Sequence, residues 1–195
     1  KSEDLQQFRI SAHNGHYGGS LDGIAEHPEY GSFLCEFKTN GTGAGFTDVE
    51  KLGVAKAKPK HYAQMCQYGL HYKLKYALYL IENKNDSDIT VEIVELDWKL
   101  GEEMQKKAGD IIYSQVPPPK ISVNDAFYEC KFCSFVDVCH HGKYVEINCR
   151  SCKYAAPVEN SKWYCSHWRN IIPPDFVAKG CDKHVSIVGQ TPIND

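Results

Sequence analysis

Apolar residues alternate with polar ones, or concentrate, in five short stretches of the chain, as they do in β-strands that bury one face. These stretches are residues 8–12, 20–25, 33–39, 75–82 and 89–96. Gly, Pro and Asn residues separate the first three, so we expect them to form successive antiparallel strands. The other two stretches predict two further strands of the same domain.

Two longer stretches have helical spacing instead. The segment "PKHYAQMCQYGLHYKL", residues 59–74, begins with a proline, which is a good first residue for a helix, and residues 98–113 predict a closing helix. Residues 40–45 are a glycine-rich break, interpreted either as a plain connection or as a lid. Four lysines then lie within ten residues and form either a solvated loop or a local patch for phosphates. They are Lys51, Lys56, Lys58 and Lys60.

The proline-rich segment "QVPPPK", residues 115–120, predicts a stiff linker before a cysteine-rich region. The chain therefore divides into a core domain over residues 1–114, a linker over 115–125 and a metal-binding module over 126–195. With 195 residues, of which 42% are hydrophobic, the chain can bury one core and a small satellite module.

Charge and hydropathy exclude two classes of protein. The net charge of −3 is not that of a chain which binds nucleic acid through its overall field, so phosphate binding would need a local patch. No run approaches the roughly 18 apolar residues of a membrane helix, and no secretory leader is present. We expect a soluble, cytoplasmic protein, processed or excised because it begins at Lys1.

Three charged residues stand among the predicted strands: Asp22 in "GGSLDG", and Glu36 and Lys38 in "CEFKT". On a strand, Glu36 and Lys38 project to one face, while Cys35 and Phe37 point to the other. If the Asp22 strand pairs alongside, two carboxylates converge as hard oxygen ligands for Mg²⁺ or Mn²⁺. Lys38 would then activate water and neutralise a scissile phosphate. The alternative is a surface ion pair on an edge strand.

The predicted helix over 59–74 adds polar residues to this set. Gln64 and Tyr68 lie one turn apart on one face, with His61 a turn earlier. In order and approximate spacing, "GGSLDG", "CEFKT" and "HYAQMCQY" resemble the motifs of the RecB-like branch of the PD-(D/E)XK nucleases, and within it the phage-type exonucleases. The resemblance covers roughly residues 15–139.

This resemblance implies an α/β fold, with a mixed central β-sheet flanked by helices in a restriction-endonuclease-like core. It implies that Asp22, Glu36 and the main-chain carbonyl of Phe37 bind the catalytic metal and that Lys38 serves catalysis. Gln64 and Tyr68 would position Lys38 or the DNA backbone. His16 and His61 are additional candidates, and Lys56, Lys58, Lys60 and His61 are the predicted DNA-binding residues.

The chain departs from the family at its start. Members usually begin with a helix that carries a further glutamate and, in iron–sulfur versions, the first cluster cysteine. Only about fifteen residues precede "HYGGSLDG", so we expect that helix to be missing and metal binding to be weakened.

Seven of the nine cysteines lie between Cys130 and Cys181, and their pairing as Cys-x2-Cys favours metal binding over disulfides. The triplet Cys130, Cys133 and Cys139 is similar to the one that closes the iron–sulfur nucleases. Its fourth ligand is either His140 or His141, which gives a zinc site, or an upstream cysteine, which gives a [4Fe-4S] cluster.

A second set has the spacing of a tetrahedral structural zinc site. It consists of Cys149, Cys152, Cys165 and Cys181, with His167 or His184 as substitutes. The alternative is free cysteines that simply pack.

The second set lies among aromatic and basic residues, which are Trp163, Tyr164, Trp168, Arg150, Lys153 and Arg169. These residues either stack on unpaired bases and hold phosphates, or fill a minimal zinc-knuckle core.

These features together predict a Mg²⁺- or Mn²⁺-dependent DNA nuclease, most simply an exonuclease of phage or bacterial recombination. Its substrates would be single strands or DNA ends, without excluding RNA, and its partner a phage single-strand annealing or replication protein. If the chain is phage-encoded, it acts in the host cytoplasm. The alternative is a catalytically silent zinc-containing module that binds DNA or a replication partner.

Overall fold

The computed structural model describes residues 7–41 and 43–190, without the side chains of residues 43 and 44. Within these residues the chain divides into two units. The first comprises the residues up to Ala12 together with Tyr17–Ala108, and the second comprises His13–His16 together with the chain from Gly109 onward.

The first unit contains a mixed four-stranded sheet and a separate hairpin. Strands β1 (Arg9–Ala12) and β2 (Tyr17–Ser20) form the hairpin, and the sheet has the order β3 (Gly23–His27), β4 (Gly31–Asn40), β5 (Tyr76–Asn83) and β6 (Ile89–Glu95). Its β4 and β5 are parallel, whereas both outer pairs are antiparallel. The predicted single strand over 20–25 is wrong, because the chain bends at Leu21 and Asp22, between β2 and β3.

Four helices accompany this sheet: α1 (Gly43–Leu52), α2 (Val54–Ala57), α3 (Pro59–Tyr72) and α4 (Trp98–Ile112). Helix α3 begins with the predicted proline and ends at Lys73, whose φ of 57° is left-handed, while the Leu74 N–H bonds back to Gly69 O at 2.8 Å. The glycine-rich break predicted over 40–45 is too long, because α1 begins at Gly43, and the alternative of a lysine-rich loop over 51–60 is wrong, because that segment is mostly helical.

The core of the first unit lies between the helices and one face of the sheet. Leu34, Met65 and Tyr79 are among its fully buried side chains. Helices α3 and α4 approach closely, since a Cβ on Gly101 would lie 2.7 Å from the carbonyl oxygen of Cys66. The other face of the sheet is more open, and Val91 on β6 is 53% exposed.

The second unit has short elements around a small core. It contains α5 (Tyr128–Lys131), α6 (Val136–His140), a 3-10 turn (Cys149–Ser151), the antiparallel strands β7 (Ala155–Pro157), β8 (Trp163–Cys165) and β9 (Asn170–Ile172), and α7 (Pro174–Val177). Cys152, Ala155, Ile172 and Val177 form its buried cluster. None of the helices within residues 7–41 and 43–190 has the length and apolar composition to cross a membrane.

Candidate functional site

A buried carboxylate lies in the middle of β4. Glu36 is 1% exposed, and its Oε1 accepts hydrogen bonds from Lys38 Nζ and, at 3.2 Å, from Gln64 Nε2. Its Oε2 is also buried and has no hydrogen-bond partner among the described residues. A carboxylate oxygen buried without a donor is costly, so this atom needs a proton or a cation.

The environment of Glu36 makes its ionised form less stable than that of a free carboxylate when no cation is present. Burial raises the pKa of the Glu36 carboxyl, Lys38 opposes that shift by donating to it, and the charge of Asp22 raises the pKa further. A bound divalent cation would act in the opposite direction, because it stabilises the ionised form.

Asp22 reaches the same region from the bend between β2 and β3. Its Oδ2 accepts the backbone N–H of Phe37 at 2.8 Å, and the β3–β4 register pairs the next residue, Gly23, with Cys35. Asp22 is exposed, in contrast to Glu36. The structure thus brings together the two carboxylates and the lysine that the sequence singled out, while the metal-binding role of the Phe37 carbonyl stays a prediction.

The polar face of α3 lies over this carboxylate. Gln64 Nε2 bonds both Glu36 and, at 3.0 Å, the hydroxyl of Tyr68, which is itself buried. These contacts fix the amide of Gln64 through two acceptors. Gln64 therefore positions Glu36 directly, Tyr68 does so through Gln64, and Lys38 shares Glu36 Oε1 with Gln64.

Tyr79 is a member of this site that the sequence reasoning missed. It is paired with Glu36 in the β4–β5 register, is 0% exposed and bonds His61 Nδ1 through its hydroxyl at 2.8 Å. Burial, with added effects of the Glu36 and Glu92 charges, raises the pKa of Tyr79 to about 12. The predicted strand over 75–82 includes Tyr79, but nothing in that pattern indicated a role for its hydroxyl group.

His61 lies near Lys38 and among the predicted DNA-binding lysines. Burial lowers the pKa of His61, and the charges of Lys38 and Lys58 lower it further. Lys56 and Lys60 are exposed on α2 and α3, and Lys58 is half-buried between them. His16 belongs to the second unit, where its Nε2 bonds Val158 O at 2.8 Å.

The first cysteine group surrounds α5 and α6. Burial raises the pKa of the Cys130 thiol, and so do the nearby Cys139 and Cys133. The backbone N–H of Phe135 donates to Cys133 Sγ at 3.4 Å. Cys133 and Cys139 are thus both near enough to Cys130 to interact with it electrostatically.

The two histidines that follow this group differ. Both ring nitrogens of His141 are engaged, by Asp125 at 2.9 Å and by Asp137 at 3.0 Å. In contrast, His140 Nε2 is buried and has no hydrogen-bond partner among the described residues. Of the two candidate fourth ligands, only His140 has a free ring nitrogen in a buried position.

The second cysteine group lines one cavity of the second unit. This cavity has a volume of about 260 Å³, and Cys149, Cys152, Cys165 and Cys181 all border it. Burial raises the pKa of the Cys149 thiol, and the other three cysteines raise it further. His184 is not available as a substitute ligand, because its ring nitrogens bond Ser151 Oγ at 3.0 Å and the Tyr144 hydroxyl at 3.2 Å.

The side chains as they stand do not form a closed metal site. No group of three or more His, Cys, Asp or Glu residues in the described part of the chain has the arrangement to hold an ion. All nine cysteines are free thiols. Within each of these sets, the two carboxylates and the two cysteine groups, three or more side chains therefore do not converge on one ion position.

Comparison with known proteins does not identify a family for this chain. No family model and no curated protein matches the chain. The crystal structure of SSO0001 is similar over 65% of this chain with a TM-score of 0.40 and 18% identity. This chain spans about half the length of that protein, 52% of it, and a likeness of this strength carries no conclusion about family or function.

Proposed function

We propose that the first unit is a metal-dependent phosphodiesterase that hydrolyses DNA and has a RecB-like PD-(D/E)XK core. One observation carries the proposal: Glu36 Oε2 is buried beside Asp22 and Lys38 and has no hydrogen-bond partner among the described residues. Glu36 and Lys38 lie on β4 of the mixed sheet, Asp22 lies just before β3, and Gln64 lies on α3, the helix before β5. This arrangement is consistent with that core.

The donor set fits a hard divalent cation. Two carboxylates, one of them with an oxygen that lacks a hydrogen bond, are the ligands that Mg²⁺ and Mn²⁺ prefer. When bound, such a cation polarises the phosphoryl oxygen and lowers the pKa of water. Asp22 and Glu36 would hold it.

The remaining residues act on the water and the phosphate. Lys38, whose side chain is 27% exposed and pairs with Glu36, would hold or deprotonate the attacking water and neutralise charge on the phosphate. Gln64 and Tyr68 keep the Glu36 carboxylate in one orientation. The exposed Lys56 and Lys60 would contact the DNA backbone.

Cleavage of linear DNA tests this proposal. We expect the full chain to degrade linear DNA in Mn²⁺ or Mg²⁺, to lose that activity after gel filtration into buffer without divalent cations, and to recover it when Mn²⁺ but not Zn²⁺ is added back. Asp22→Ala should abolish cleavage, whereas Glu29→Ala, an exposed acid in the turn after β3, should not. Parallel reactions with single-stranded DNA, duplex and RNA define the substrate, and no metal-dependent loss of any of them would reject the proposal.

We also propose that the two cysteine groups bind zinc. The set of Cys149, Cys152, Cys165 and Cys181 borders a single cavity, and four thiolates are a typical structural zinc site. For the first group, the orphaned His140 Nε2 favours a Cys3His zinc site over a [4Fe-4S] cluster, which needs a further cysteine.

Elemental analysis and the visible spectrum test these sites. We expect about two zinc ions per chain from the two four-ligand sets and no broad absorbance from iron. Cys149→Ser and His140→Ala should each remove one zinc, while His141→Ala serves as the control because its ring is already engaged. Iron in place of zinc, or equal loss in both histidine variants, would contradict the assignment.

A second function is favoured by one observation: Lys38 already pairs with Glu36, and Asp22 with the Phe37 N–H. A site that satisfies its own charges in this way is also consistent with a catalytically silent module that binds DNA or a phage annealing or replication protein. Gel retardation of DNA without metal-dependent loss of substrate would select this alternative.

A further inference from the structure

The second unit carries exposed aromatic rings that its small core does not use. Trp163, one of the tryptophans in the cysteine-rich region, packs partly buried against the core of this unit. Trp168, by contrast, is 59% exposed, and Phe176 on α7 is 56% exposed. The core-filling role therefore fits Trp163, but it does not explain Trp168 or Phe176.

Trp168 lies in the four-residue loop, 166–169, that joins β8 to β9, and this loop is held in place. The N–H and Oγ of Ser166 both donate to Tyr154 O, at 2.8 and 3.1 Å. The His167 ring contacts Tyr154 at 5.3 Å and Trp168 at 4.7 Å between ring centroids. Trp168 is thus presented to solvent from a fixed position, which reduces the entropy lost when a ligand stacks on it.

Tyr154, His167, Trp168 and Phe176 border the same cavity, the one of about 260 Å³. We refer to these four rings as the aromatic surface. Because the four cysteines proposed to bind zinc also border this cavity, a ligand would contact the exposed rings of Trp168 and Phe176 rather than enter the cavity. A flat heterocycle is the kind of group that four rings of this arrangement can contact.

Positive charge borders the aromatic surface. Lys153 Nζ lies 5.3 Å from the Tyr154 ring centroid and Lys179 Nζ lies 6.0 Å from that of Phe176. Lys183 borders the cavity, where it pairs with Asp182 at 2.9 Å, and Arg169 is exposed directly after Trp168. Cations placed around exposed rings match a ligand that combines flat bases with phosphates.

We propose that the aromatic surface binds single-stranded nucleic acid by stacking unpaired bases on Trp168 and Phe176. The faces of duplex bases are already stacked, so only a single strand can offer them to these rings. Lys153, Lys179 and Arg169 contact the adjacent phosphates and hold the strand in place. This inference rests on the proposed action on DNA and names its preferred form, a single-stranded segment or end.

Fluorescence anisotropy tests the inference. The full chain, in Ca²⁺, is titrated into a labelled 20-nucleotide oligo(dT) and, separately, into a labelled 20-base-pair duplex. We expect Trp168→Ala to weaken oligo(dT) binding by about 5- to 150-fold, the range of one lost base stack. Duplex affinity should change less than about 3-fold, since duplex contacts are to phosphates. Trp168→Phe should retain most of the affinity because a ring remains.

Phe132→Ala is the matched control. Phe132 belongs to the same unit, is 78% exposed and has Lys131 Nζ 5.9 Å from its ring centroid, but it does not border the cavity. Its replacement should change oligo(dT) affinity by less than about 2-fold, because no base stacks there. Melting curves of each variant show whether it folds, and Phe176→Ala provides a second, independent test.

Three results would overturn the inference: unchanged oligo(dT) affinity in Trp168→Ala and Phe176→Ala, equal losses for oligo(dT) and duplex, or competition by an acidic peptide but not by oligo(dT). The cleavage assay distinguishes this failure from failure of the proposed function. Metal-dependent cleavage with no effect of Trp168 rejects only the base-stacking surface. Trp168-dependent binding without cleavage rejects only the phosphodiesterase.

Discussion

Replacing Glu36 with glutamine tests the metal site through the stability of the fold rather than through activity. The amide has the size of the carboxylate, and its oxygen can still accept from Lys38 Nζ and Gln64 Nε2. The change removes the charge and puts an NH₂ group where Oε2 has no partner among the described residues. An NH₂ group only donates hydrogen bonds, so it cannot ligate a cation.

The expected magnitude follows from linkage. Binding raises the free energy of unfolding by RT ln(1 + [Mn²⁺]/Kd), which is about 2.7 kcal/mol at a concentration about 100 times Kd. If the lost ligand weakens binding about 100-fold, about 0.4 kcal/mol remains at that concentration. For a domain of roughly 100 residues, the Mn²⁺-induced rise in Tm then falls from about 11–22 °C to about 2–3 °C.

Differential scanning calorimetry with and without Mn²⁺ measures these shifts. Loosely bound cations are removed by gel filtration, because a chelator would also extract zinc from the cysteine groups. Glu26→Gln is the control, since it makes the same chemical change at an exposed position on β3 and should keep the full rise in Tm. An undiminished rise in Glu36→Gln, or none in the unsubstituted chain, would refute the reasoning.

Three other predictions concern catalysis, pH and packing. Lys38→Ala should lower the rate of single-turnover cleavage at saturating Mn²⁺ by about 100-fold or more, while DNA affinity in Ca²⁺ stays within a few-fold. Lys38→Arg should not restore the rate, because a guanidinium keeps its proton. Rescue by arginine would mean that Lys38 acts only through its charge. The fold lowers the pKa of His61 from 6.5. The stability that the neutral ring contributes is therefore present above pH 6.5 and is lost as the pH falls through the lowered pKa. Urea unfolding between about pH 7 and pH 5 should show a smaller loss of stability in His61→Gln than in the unsubstituted chain, and an equal loss would contradict this. Gly101→Ala should lower the free energy of unfolding by about 1–3 kcal/mol, because the new Cβ would lie 2.7 Å from Cys66 O. This loss should exceed the gain from the better helix propensity of alanine. Unchanged or increased stability in urea would show that α3 and α4 can separate at little cost.

Local patterns predicted the elements that carry the acidic site. Strand alternation placed Glu36 and Lys38 on one face, and the hydrogen bond between them agrees with it. Proline at the start of α3 and the spacing of Gln64 and Tyr68 likewise gave the helix and its polar face. These features depend on the period of a strand or helix, which the sequence contains.

The features that the sequence did not predict depend on contacts between distant segments of the chain rather than on the local pattern of residues. Glycine content predicted a break over 40–45, and lysine content offered a loop over 51–60 as one alternative. Phe46 and Val49, three residues apart and both buried, instead give α1 an apolar side. The buried Tyr79 hydroxyl and the unpaired Oε2 of Glu36 depend on how α3 lies over the sheet. Such tertiary contacts are set by packing between distant segments, so no local pattern contains them.

The parallel pairing of β4 and β5 has a consequence for the order of folding. Asp22 lies near Glu36 through the β3–β4 hairpin, which a chain can form locally, whereas Tyr79 joins Glu36 only after residues 41–75 have crossed over the sheet. Closing that crossover costs chain entropy before the strand pairing compensates for it, and such non-local contacts slow folding. On the ribosome, the acidic pair would therefore assemble before α3 and Tyr79 have emerged, and the site would be complete only once β5 has paired with β4.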